Sequence, residues 1–424
     1  MKDKCSLEEL PVELRILILS RVSDLESLRS IVHASPACHQ AYQRTRGELL
    51  QNLLHKEYDG LVNVPDAVTA IRSKGLHASV PSNKKRIISL LDTRRRSDEI
   101  QRLGLPSAEA IPASIDEIVQ LLSLHRVMAF LLDDYCKSVS CPKWMEQTKW
   151  ETKILPLCVS DTEKLRCVRG FYRLQIFANI FAPVELPVHK TNSGRKEDSW
   201  DRKKFTMEEA WRVLFGTMAP WEVVELGCMS QYMYERYAEP YTAVAESLAQ
   251  YGQVEVYSLP ELAPLPAGCI HSDATSLALH ADFNLQSLAA MGPETLHKFL
   301  HQKNTFLDRR DWFLANGRVY NWVLPNICPG PEGCLPLLYP ADRFNFGEDF
   351  DGLKELLAGL PPSERPNLLC DRYLLCYPDL PDALEEIFDE RLCCDQWQWG
   401  FALWEDGRVR EWNAPMDYAA VLEY

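Results

Sequence analysis

The sequence predicts a mostly α fold with little β. A three-helix unit over residues 6–50 precedes a larger helical domain over 60–424. Three observations predict this. Apolar residues recur three and four positions apart, as in Leu14, Leu17, Ile18 and Val22, the spacing that lines one side of a helix. Serine and proline stand where helices open, as in Ser35-Pro36. No segment repeats with a period of about 20–50 residues, which excludes solenoids and propellers.

In chain order, Pro11 opens the first helix, where its missing N–H costs nothing. Ser23 is placed to cap a second helix carrying Leu25, Leu28 and Ile31. Ser35 and Pro36 open a third, which by itself or through a continuation after Gly47 carries Leu49, Leu50, Leu53 and Leu54. Residues 66–74 and 82–103 read as helices. The second holds two basic triplets, Lys84-Lys85-Arg86 and Arg94-Arg95-Arg96. Their apolar spacer favours a basic amphipathic face over a nuclear localisation signal. A loop at 104–113 leads to a strong helix from Ser114 to Lys137. Helices follow at 161–181, 206–216, 218–250, 274–316, 350–358 and 379–390. The polar, charged stretch 186–204 predicts a mobile loop. The Pro-rich stretch 258–269 reads as a connector. A short hairpin is expected at 403–409, where Glu405-Asp406-Gly407 supplies a turn.

The first helix places apolar residues at 14, 16, 17, 18, 19 and 22. At about 100° per residue these wrap both faces. One face meets its own unit, and the other meets either the rest of this chain or an external partner.

At these residues the chain resembles an F-box. The matching positions are Leu10-Pro11, Glu13-Leu14, Ile18, Val22, Leu25 and Leu28. The run Ala34-Ser35-Pro36-Ala37 and Tyr42 is similar to the fungal variety, and Cys38 stands where many members have an aromatic residue. The segments 121–136, 170–183, 218–233 and 397–412 resemble stretches that recur in fungal F-box proteins of this size. The resemblance implies a substrate-recruiting subunit of an SCF-type ubiquitin ligase that does no bond chemistry itself. Its F-box would bind a Skp-type adaptor, and through it the cullin and RING ligase core. Leu10, Pro11, Leu14, Ile18, Val22 and Leu28 would be the apolar anchors, and the domain after residue 60 would hold an unknown protein substrate. Two alternatives stand beside this reading: an adaptor-binding or general interaction scaffold outside a ligase, and an uncharacterised enzyme.

Composition bounds the other classes. The chain has 424 residues, 46% of them hydrophobic, and a net charge of -14. At roughly 150 residues per domain, about two or three domains fit. Residues 1–100 hold 16 Lys and Arg against 13 Asp and Glu, whereas 341–424 hold 7 against 19. This balance argues against nucleic acid or an anionic membrane as the main partner. The acidic, tryptophan-rich end is a candidate surface for a basic protein substrate; tryptophans packed into the core are the competing reading. The opening residues lack the apolar core of a secretory signal, and no stretch reaches a membrane span. A cytoplasmic or nuclear setting is expected, with the 14 cysteines as reduced thiols.

No Cys-x-x-Cys, phosphate-binding loop, dinucleotide fingerprint or Gly-x-Ser-x-Gly occurs. His271-Ser-Asp273, His280-Ala-Asp282 and the pair His297 and His301 have metal-ligand chemistry but lack a four-ligand set. No metal and no cofactor is expected.

Overall fold

The computed structural model describes residues 7–58, 60–102, 112–187, 205, 207–252, 281–317, 350–360, 364–371 and 397–415. The fold is mostly α, with no strand among the described residues. Its helices of six or more residues are α1 (Val12–Ser20), α2 (Leu25–Ala34), α3 (Pro36–Tyr58), α4 (Val64–Arg72), α5 (Lys84–Arg102) and α6 (Ile115–Ser138). After these come α7 (Asp161–Phe181), α8 (Met207–Val213), α9 (Pro220–Gly252), α10 (Ala281–Ala290), α11 (Pro293–Gln302), α12 (Phe306–Asn316), α13 (Phe350–Gly359) and α14 (Asp406–Glu411).

Local chemistry sets most helix starts. Pro11 is the N-cap of α1 rather than its first turn. Asp24, not Ser23, caps α2: its carboxylate accepts from the Ser27 N–H at 2.8 Å, while Ser23 donates to Asp24. The stronger acceptor takes the cap because an ionised side chain also suits the positive end of the helix. Ser35 precedes Pro36 at the start of α3 and receives the Cys38 N–H. The helix breaks its geometry at Thr45 (φ -128°, ψ 19°) and then runs on to Tyr58. Ser160 and Glu163 close a capping box on α7.

The first unit has its own small core of Leu19, Leu28, Val32, Ala41 and Leu50, completed by Ile118 and Leu122 of α6. Continuous helix through residues 46–58 and this shared helix join it to the body. At the joint, the Tyr58 hydroxyl donates to the Leu121 carbonyl and contacts the Tyr172 hydroxyl, both at 3.2 Å. His125 Nδ1 lies 3.3 Å from the same Tyr172 oxygen.

The body centres on α7 and α9. Gly170 makes their close approach possible, because a Cβ there would stand 2.7 Å from Met229 Cγ.

The hairpin expected at 403–409 is overturned: Asp406–Glu411 is helical. Glu163 accepts from the Glu405 N–H at 3.0 Å and from Arg408 Nη2 at 2.7 Å. Those bonds fix the helix start where a turn was expected. Trp399, Trp404 and Trp412 are buried, so the aromatic end is core. Of the expected loop at 186–204 only 186 and 187 are described. The connector at 258–269, the loop at 104–111 and the helix at 379–390 lie outside the described residues.

Candidate functional site

Helix α1 divides its apolar residues between two faces. Val12, Ile16 and Leu19, at i, i+4 and i+7, turn inward and pack on the small core. Leu14, Leu17 and Ile18, at i, i+3 and i+4, form the other face and are 46%, 52% and 37% exposed. Leu7, just before the helix, is 40% exposed. Large apolar side chains in a row on one helix are the feature of an interaction surface, unlike apolar residues scattered singly.

Of the six anchors named from sequence, Leu14 and Ile18 stand on this outward face, with Pro11 exposed and Leu10 half-buried beside them. Val22 is half-buried against the small core. Leu28 is buried inside it, so it shapes the surface by holding the trio together. Leu7 and Leu17 are as exposed as the named anchors and were not among them. The helical period alone would have found Leu17, because it falls between Leu14 and Ile18 on the same face.

The second feature lies in the body and is invisible to motif reading. Glu163, Arg166, Arg169 and Arg173 run along one side of α7, and all four are buried. Arg173 bridges Asp66 of α4 and Glu222 of α9, both at 2.8 Å. Arg169 spans Glu222 at 3.0 Å and Glu225 at 2.6 Å. Arg94 of α5 takes the other oxygen of Asp66. Arg166 donates to the Trp404 and Arg365 carbonyls at 2.8 and 2.9 Å, tying in the aromatic end. Burial raises the Glu225 carboxyl against the pull of Arg169 and Arg166. Burial alone would also raise Glu163, but bonds from Arg408 and from the Glu405 and Ser160 N–H groups outweigh it and hold the carboxyl low. Spacings of three and four between like charges on α7 and on α9 are the one sequence signal for this ladder.

The basic triplets of 84–96 do not share one face. Lys84 pairs with Glu209 at 2.6 Å, Arg95 and Arg96 pair with Asp92, and Arg94 is buried. The rings of His297 and His301 lie tilted, 4.2 Å apart, beside Phe130, and His301 Nδ1–H donates to the His297 carbonyl at 3.0 Å. Asp282 accepts from the Tyr234 hydroxyl at 2.9 Å, while 271–280 lie outside the described residues. No group of three or more metal-ligating side chains gathers among the described residues. Among them, too, no helix is long and apolar enough to cross a membrane.

The fold and its exposed helix face define an all-α protein with an unpaired apolar surface at its N-terminal trio. No family model matches the chain, and neither do any curated protein or any solved structure.

Proposed function

We propose that the chain is the substrate-recruiting subunit of an SCF-type E3 ubiquitin ligase, working in the cytoplasm, the nucleus or both. Its trio binds a Skp-type adaptor, which links it to a cullin and RING core, and its helical body holds a protein substrate. The observation that carries this is the outward row Leu14, Leu17 and Ile18, set on a helix whose opposite face is already packed. The mechanism is proximity: a substrate held near the charged conjugating enzyme meets it in an effectively unimolecular step. No bond is made or broken by this chain.

The test is a pull-down of purified Skp-type adaptor with Leu14→Glu/Ile18→Glu. Both side chains are exposed in the free chain, so the melting temperature should hold within about 2 °C. A charge forced into an apolar contact should weaken adaptor binding by about 3 kcal/mol, roughly 100-fold. Wild-type capture by the double variant would sink the assignment, and absence of a cullin from adaptor complexes of the wild type would remove the ligase role.

A further inference from the structure

An open groove of about 390 Å³ runs between α2 and α6. It lies beside the residues by which the two helices share the small core, Leu28 and Val32 on one and Ile118 and Leu122 on the other. Its volume is that of a site for a few side chains. Helix α2 lines it with Leu25, Glu26, Arg29, Ser30 and His33, and Arg126 stands across from them on α6. Leu25 is half-buried; the other five are exposed.

The lining is basic. Arg126 donates to Glu26 at 2.8 Å, and Glu26 is the one acidic side chain among the described residues of the groove. Arg29 and His33, one turn apart on α2, have no hydrogen bond or ion pair among the described residues. Cations on the surface of the body do find carboxylates: Lys74 pairs with Glu294 at 2.8 Å and Lys298 with Glu185 at 3.4 Å. One turn on from Arg126, on the same side of α6, stands Phe130, with the rings of His297 and His301 of α11 at 5.0 and 4.4 Å from its own. Guanidinium, aromatic ring and imidazole in sequence along a helix suit an extended chain.

The sign of the charge selects the occupant. Guanidinium groups without a partner bind carboxylates through charge-assisted hydrogen bonds. The net charge of -14 does not prevent this, because charges more than about 8 Å away are screened at physiological salt. A nucleic acid strand needs a longer run of cations along its backbone, and Glu26 would repel its phosphates.

We propose that the groove between α2 and α6 is a docking surface for an acidic peptide segment of a partner protein. Carboxylates of the segment sit on Arg29 and Arg126, and its apolar stems cover Leu25. Glu26 competes for Arg126 and so limits the affinity. The surface uses neither Leu14 nor Ile18 and stands apart from the adaptor reading.

The experiment is fluorescence anisotropy of the full chain with a fluorescein-labelled octaglutamate peptide, and in parallel with a labelled thymidine octanucleotide. No adaptor is present, so the outcome is separate from that of the pull-down. Octaglutamate should bind, and more weakly as salt rises. Arg29→Glu should weaken it roughly tenfold, and Glu26→Gln, which frees Arg126, should tighten it about threefold. Both positions are exposed, so melting temperatures should hold. The opposite signs separate docking from a loss of structure, which would weaken binding in both variants. No measurable binding of octaglutamate, affinity unmoved by Arg29→Glu, affinity lowered by Glu26→Gln, or an equal loss of octanucleotide binding in Arg29→Glu would each overturn the proposal.

Discussion

The N-terminal trio and the helical body treat their side chains in opposite ways. In the trio, a short helix turns Val12, Ile16 and Leu19 inward and leaves Leu14, Leu17 and Ile18 in water. In the body, charged side chains go inside: Arg94, Arg169, Arg173, Asp66, Glu222 and Glu225 are all buried among the helices that pair them. The trio's outer residues contribute little to its own folding and so are free to serve an interface. The body's inner charges are sealed from solvent by the helices that pair them. A row of leucines and a row of arginines on regular helices thus mean opposite things, and only the neighbouring helices decide which.

The largest expected effect breaks the body. Asp66→Ala leaves two buried guanidinium groups short of a carboxylate and should destabilise by about 4 kcal/mol or more. Urea unfolding would show this as a lowered midpoint; a loss below 1 kcal/mol would mean that the ladder relaxes into solvent. Next comes the inside of the trio. Leu28→Ala opens a hole in the small core and should cost about 3 kcal/mol, with the amide exchange of α2 rising more than that of α7. If α7 loses protection equally, trio and body unfold as one unit.

The smallest effect lies at the joint. Burial, with Asp24 nearby, pushes the Glu57 carboxyl up to about 7. The folded chain therefore binds this proton more tightly than the unfolded chain, and stability falls as pH rises from about 4.5 to about 7. Burial lowers His125 to about 4, so its contribution runs the other way and is lost as pH falls below about 6.5. Glu57→Gln removes the first dependence. It should stabilise the chain at pH 8 by on the order of 1 kcal/mol, a figure reduced for the partial solvation of this carboxyl, and leave a steeper decline below pH 6.5. Melting curves across pH 4–8 check both signs.

Much of the helical layout was legible because helix ends are chosen locally. Residues 161–181 and the starts after Ser35 and Ser114 follow from a cap and a period of 3.6, both set within a few residues. The two-faced α1 was equally legible, and so was the surplus it carries. Where a local signal met a distant partner, the reading failed. Glu405-Asp406-Gly407 suggested a turn, but Glu163, more than 200 residues away in sequence, holds Glu405 and Arg408 at a helix start.

The sequence by itself determined most of the described helices, such as Asp161–Phe181, and that α1 has apolar residues to spare, since both depend on neighbours three and four positions away. Tertiary structure alone decided that Leu28 is inside, that Trp399, Trp404 and Trp412 of the acidic end are core, and that Arg94 leaves its basic triplet to join Asp66. The reason is physical. Burying a charge is favourable only beside an opposite charge, and the partners of these arginines come from α4 and α9, helices brought alongside only when the chain folds.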